Sequence, residues 1–402
     1  MATGLAVASE SNGTPAARVL AAQAETLARS GKAAEAAALF RKAIEADPDY
    51  VDAHQRYIET TQRVENPGSR TPSLPRLKEQ YTRWAREQPN RAVYQLALGL
   101  LFPEANTADE YFNAALKIDP SFARAHFLLA KNADQRGDWE GQRQHLKAAV
   151  DGNPAEPRYL VKYAQAFKRT DPARFRELAL SVVDKFPSTP SAAEALYYVA
   201  NAASNPERRM LFERLHAVYP PDKFPYGATA MYDFYEDVTT PAEALAIAQE
   251  MAKVYPTSKT WERRIALQRA MGQAAALVAE RRFGDALEVL ARTERPSGTH
   301  GATWALLKAD AAAGAGRIEE AYASLVESVA AVPDERMESA LQKYGAALHK
   351  TTADVTADIW RIRDGKAKPA TAFELEADRG KTPVSLADYR GRVVLLAFWF
   401  PG

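Results

Sequence analysis

The chain has 402 residues, of which 47% are hydrophobic and 26% charged, and its 52 basic and 51 acidic side chains leave a net charge of +1. That length calls for two or three domains, and the balanced charge lacks the basic excess of a nucleic-acid binder, so no nucleic-acid partner is expected. The absence of cysteine removes disulfides, thiolate metal sites and a thiol nucleophile together, and no run of eighteen apolar residues is present to span a membrane.

Residues 1–14 read as a disordered tail or the remnant of a secretory signal. Met1–Glu10 is mildly apolar and closes on the small residues Ala6-Val7-Ala8-Ser9, but no Lys or Arg precedes Arg18. Asn12-Gly-Thr14 is a formal glycosylation sequon in that tail.

From residue 15 to residue 345 the pattern is one of paired helices punctuated by proline. Pro48, Pro120, Pro154, Pro187, Pro220, Pro256 and Pro333 are spaced 72, 34, 33, 33, 36 and 77 residues apart, which is one or two periods of about 34. Proline has no N–H to give a helix interior and suits the first turn of the next helix. Counting back from Pro48, Ala36, Phe40 and Ala43 fall on one face of a second helix, and Gly31 falls in the turn before it. The same count gives Ala108, Phe112 and Ala115 before Pro120. Before Pro154 it gives Leu129, Ala130, Gly137, Leu146 and Ala149, and before Pro333 it gives Gly316, Ala321 and Leu325. The middle repeats are looser, with Phe175, Ala179 and Val182, then Arg208, Phe212 and Leu215. Small residues let paired helices approach, and Phe or Leu fills the groove between repeats. Asn66–Pro75, with three prolines and a glycine, reads as a loop within the array.

The segment Gly31–Pro48 resembles the second helix of a tetratricopeptide (TPR) repeat, and the whole region resembles a TPR array. That resemblance implies a mainly α solenoid of eight to nine helical pairs whose concave face takes protein or peptide partners.

Within this region no catalytic, cofactor or metal site is expected. His54, His126, His145, His216, His300 and His349 include no pair at the i, i+4 spacing of a helical metal site, and read as isolated packing or surface residues. Gly314-Ala-Gly316 lacks the Lys-Ser/Thr of a phosphate loop and fits a repeat turn. Glu319-Glu320 and Arg281-Arg282 read as solvated helix faces, and most of the six tryptophans fall at core spacing.

Residues 346–370 read as a linker holding one helix, Thr352–Asp364, with Val355, Ile359 and Ile362 on one face. The period then changes. Phe373–Ala377 alternates as a half-buried strand, Asp378–Lys381 is a turn, Val384–Leu386 a second strand, and Ala387–Gly391 another turn. Val393–Phe400 is continuously apolar, as in a central strand buried on both faces.

Residues 371–402 resemble the entry to the redoxin superfamily, in particular TlpA-type thiol–disulfide oxidoreductases, with the AhpC/TSA peroxiredoxins as relatives. Phe373, Gly380, Leu386, Tyr389, Gly391, Phe398, Trp399 and Pro401 carry the likeness as structural residues of the motif. The resemblance implies the first strands of a truncated α/β thioredoxin-like domain, with Trp399 on the floor beneath the redox loop. The first cysteine of Cys-x-x-Cys would then be the residue after Gly402. It implies a fragment whose parent is a thiol–disulfide oxidoreductase, or a peroxide-reducing antioxidant, with a TPR interaction arm. The alternative is a non-catalytic TPR scaffold with a redox-dead C-terminal domain. TlpA-type relatives work outside the cytoplasm, which makes an extracytoplasmic, periplasmic setting the expectation, with the cytoplasm as the alternative.

Overall fold

The computed structural model describes residues 11–68, 74–377 and 381–397. The chain divides into two compact units, Met1–Phe234 and Tyr235–Gly402. Among the described residues there are twenty α-helices, more than eight or nine pairs supply. None of them is long and apolar enough to cross a membrane.

The first unit opens with α1 (Pro15–Arg29), α2 (Ala33–Ala46), α3 (Val51–Glu65), α4 (Pro75–Glu87), α5 (Ala92–Leu100) and α6 (Ala105–Ile118). It continues with α7 (Ala123–Gln135), α8 (Trp139–Gly152), α9 (Pro157–Gln165), α10 (Pro172–Lys185), α11 (Pro190–Ala202) and α12 (Glu207–Val218). Most successive helices pack on each other, and α3 also touches α5 and α9 touches α11, so first helices stack on first helices along the array. Helix α13 (Pro225–Asp237) runs through the boundary. The second unit holds α14 (Pro241–Val254), α15 (Lys259–Ala279), α16 (Phe283–Ala291), α17 (Gly298–Gly314), α18 (Ile318–Ala331), α19 (Glu335–Ala347) and α20 (Thr352–Lys366).

The register counted from the prolines falls on the core. Ala36, Phe40 and Ala43, then Ala108, Phe112 and Ala115, then Leu129, Ala130, Leu146 and Ala149 are all buried. So are Phe175, Ala179, Val182, Phe212, Leu215, Ala321 and Leu325, whereas Arg208 turns its guanidinium to Asn201 Oδ1 at 2.9 Å. Close approach has a visible limit at Gly99, where a Cβ would lie 2.4 Å from Phe112 Cε1. The period prolines themselves sit in the turns, a few residues before the next helix begins, and other prolines (Pro157, Pro172, Pro190) take the first helical position.

Three segments differ from the sequence reading. Residues 11–14, assigned to a tail, are held on the first repeat. Ser11 Oγ donates to Asp47 Oδ2 at 2.6 Å, Thr14 N–H donates to the same oxygen at 2.9 Å, and Thr14 caps α1. Met1–Glu10, like Ser69–Ser73, lies outside the described residues. Helix α20, read as part of a linker, packs on α18. Its Val355 is buried, and Tyr322 O–H donates to Asp358 Oδ2 at 2.7 Å.

The third is at the C-terminus. β1 (Glu374–Ala377) and β2 (Lys381–Ser385) form an antiparallel pair with a bulge between Leu375 and Ala377. A 3₁₀ turn, Leu386–Tyr389, follows, closed by reciprocal bonds between Ser385 and Asp388. The expected central strand is absent over its described part. Among the described residues Val393–Ala397 has no strand partner, and Val393 and Leu395 are 102% and 91% exposed. A strand buried on both faces needs ladder partners and a covering layer, and among the described residues this segment has neither. Phe398–Gly402 lies outside the described residues.

Candidate functional site

Helical spacing converges three sets of side chains on one groove in the first unit. Phe127, Lys131 and Asp134 lie at i, i+4 and i+7 on α7, with the buried Ala130 beneath them, while the neighbouring Leu129 and Ala133 turn into the core. Trp139, Gln142, Arg143 and Leu146 share one face of α8, whose N-terminus is capped by Asp138 accepting from Gly141 N–H. From α9 come Lys162 and Gln165, and the turn after it adds Lys168, Arg169 and Thr170. Together they enclose about 780 Å³, within the range of natural ligand clefts. Trp139 is 54% exposed on this groove, so it is not the packing residue its helical spacing suggests. Trp261 is, being wholly buried.

The groove's polar groups are partly tied down. Arg143 pairs with Glu140 at 2.7 Å, and Lys162 and Gln165 both donate to Glu194 Oε1, at 2.7 and 2.9 Å. Gln142 donates to Asp134 at 2.8 Å.

Beside this groove, α7 and α8 are joined by two histidines that stand 19 residues apart and so escape a local motif search. His126 Nε2 faces the Pro120 carbonyl at 3.1 Å, and a carbonyl only accepts, so Nε2 carries the proton. The Nδ1 atoms of His126 and His145 face each other at 3.0 Å, one donating to the other. Burial, and then the His126 ring, hold His145 below the usual imidazole range.

A second, smaller groove of about 380 Å³ lies among α1, α2, α3 and α9. Most of its charges are paired. Arg158 forks onto Glu156 with bonds of 2.9 and 2.8 Å, Arg56 meets Glu25 at 2.9 Å, and the buried Arg124 reaches Asp52 at 2.5 Å. Asp52 and Arg124 stand two periods apart, so this network ties repeats together rather than awaiting a ligand.

The residues of the redoxin likeness are only partly placed. Phe373 O accepts from Leu386 N–H at 3.3 Å, Tyr389 O accepts from Arg392 N–H at 3.0 Å, and Gly391 takes the turn at φ +79°. Gly380, Phe398, Trp399 and Pro401 lie outside the described residues. The groove residues Lys131, Lys168 and Arg169 escaped the sequence reading, and Trp139 was read there as packing. Phe127, Lys131 and Asp134 on α7 and Trp139, Gln142, Arg143 and Leu146 on α8 do carry the one-face helical spacing, whereas Lys168 and Arg169 lie in the turn after α9 and carry none.

Residues 17–50 match the tetratricopeptide repeat family. No curated protein matches the chain. Among solved structures, the crystal structure of the APC/C hetero-tetramer Cut9-Hcn1 is similar, with 17% identity and a TM-score of 0.35. The likeness covers 81% of this chain and 55% of that one, so the chain spans about half the length of that relative. None of these findings carries the redoxin resemblance. The chain is a mainly helical solenoid of TPR-like repeats, with two short strands near its C-terminus.

Proposed function

We propose that the array is a protein-interaction module, and that an extended segment of a partner protein lies on the inward face of the stacked repeats, in the groove between α7, α8 and α9. The observation that carries this reading is Trp139, half exposed beside Phe127 and Leu146 under a polar rim. An exposed aromatic in a preformed cleft is a common anchor for a binding partner. Photo-crosslinkers placed at Lys131 or Lys168 should trap a partner polypeptide. One at Arg41, an exposed α2 position outside the groove, should not. Equal capture at all three, or none from the groove, would count against this reading.

On the resemblance of Phe373–Trp399 we further propose that the array serves a thiol–disulfide oxidoreductase of redoxin type, recruiting its substrates in an extracytoplasmic compartment. Support comes from the β1–β2 pair, which overlaps the two strands that the likeness places first. This chain has no cysteine, and exchange needs a thiolate. The redox reading therefore stands or falls on the coding sequence after Gly402. A Cys-x-x-Cys there, and disulfide reductase activity lost when those cysteines become serine, is the expected result. Its absence leaves the interaction module as a scaffold.

A further inference from the structure

Five cationic side chains line the groove of α7, α8 and α9, and only two are answered by carboxylates. Arg143 is held by Glu140 and Lys162 by Glu194, each at 2.7 Å. Lys131, Lys168 and Arg169 are exposed and have no carboxylate partner among the described residues. Lys168 has its ammonium 5.2 Å from the centre of the Tyr198 ring. Asp134 is the single carboxylate on the lining, and it is occupied by Gln142. The chain as a whole is balanced at +1, so this excess is local to the groove. Cations gathered on low-dielectric walls focus their field into the cleft and attract the opposite charge. The floor beneath them, Phe127, Ala130, Trp139 and Leu146, is apolar.

We propose that the occupant of this groove is an acidic segment of a partner protein that carries a large apolar side chain. Its carboxylates meet Lys131, Lys168 and Arg169, and its apolar side chain seats against Trp139 and Phe127. The proposal rests on reading the groove as a protein-binding site, and adds the chemistry of the partner. A nucleic-acid strand is also anionic. Its phosphates are continuous, however, and would run onto Asp134, Glu140 and Glu194, which stand among the cations. An acidic peptide can space its carboxylates to avoid them.

The test is a displayed library of random peptides panned against the full 402-residue chain, with the recovered peptides titrated by calorimetry. Recovered sequences should be enriched in Asp and Glu around a Phe, Trp, Tyr or Leu. Their affinity should fall by about tenfold or more for the Lys168→Glu/Arg169→Glu double variant, and by a similar factor for Trp139→Ala. All three positions are exposed, and unchanged thermal unfolding of each variant guards against misfolding. Neutral or basic peptides that lose affinity with Trp139→Ala would overturn the acidic partner while leaving the binding site intact. Acidic peptides indifferent to all three substitutions would overturn this location. Recovery of no binding peptide would sink the protein-binding reading itself. A short oligouridylate that binds the wild-type chain and not the double variant would move the site to nucleic acid and overturn the proposal.

Discussion

His54 has no exposed surface, yet both ring nitrogens are satisfied. Nε2–H donates to the Pro48 carbonyl at 2.9 Å, which leaves Nδ1 to accept from Tyr81 O–H at 2.9 Å. Burial pushes its pKa down to about 4 from the usual 6.5. Between those values the unfolded chain holds a proton that the folded chain refuses. Stability is therefore complete above pH 6.5 and declines as the pH falls towards 4, by about 3 kcal/mol from this group. Urea titrations from pH 7 to pH 5 should show a slope in the wild type that is clearly smaller in His54→Gln, the remainder coming from His145 and His300, which are also held low. An equal slope in both would refute the assignment. The same arrangement recurs 72 residues on, where His126 meets the Pro120 carbonyl. In both, Asp-Pro is followed by Ala-His in the same register (Asp47-Pro48 to Ala53-His54, Asp119-Pro120 to Ala125-His126). These histidines brace turns. A search for metal spacing passes over them because their partners are a backbone carbonyl and distant rings.

At the scale of the element, the turn between paired helices demands a left-handed residue. Gly31, Gly137 and Gly316 supply it with φ of +80°, +73° and +79°. Arg281 and His349 occupy the corresponding turns before α16 and α20 with φ of +61° and +60°, where a Cβ meets the following carbonyl. Replacing either by glycine should stabilise the chain by about 0.5–1 kcal/mol, since relief of that clash exceeds the entropic cost of glycine. A rise in urea midpoint checks it, and a fall would mean that the side chain contributes more than the strain costs. Helices of neighbouring repeats are also pinned by tyrosine. Tyr197 donates to Asp233 at 2.8 Å, Tyr322 to Asp358 at 2.7 Å, and Tyr344 to Asp310. The partners are 34 or 36 residues apart, one repeat along, so each bond reports stacking between consecutive units. The acceptor raises the tyrosine pKa further in each case after burial has done so, to about 12 for Tyr197.

Across the whole molecule, each repeat touches chiefly its neighbours, so protection is set locally. Amides of α17 and α18, around buried Ala309, Ala321 and Leu325, should exchange slowly. Those of Val393–Ala397, unpaired and exposed, should exchange at near-random-coil rates, with the β1–β2 pair between the two because a lone hairpin is marginal in water. Strong protection over Val393–Ala397 would show that the segment finds a partner in solution. The proline period and the Ala, Phe and Leu register by themselves determined the repeat class and most of the buried face, because a helix writes its packing into i, i+3 and i+4 spacing. The β1–β2 pair was legible in part, since alternation and turn residues are local, but β2 begins at Lys381, which the sequence assigned to the turn, and stops before Leu386. Only the tertiary structure decided which charges remain uncompensated. Lys162 is cancelled by Glu194 from the next first helix, whereas Lys131 and Arg169 have no carboxylate partner among the described residues. It also separated Trp139 in its groove from Trp261 in the core. Pairing and exposure are set between repeats, by the angle at which one helix pair stacks on the next, and that angle leaves no local mark on the sequence.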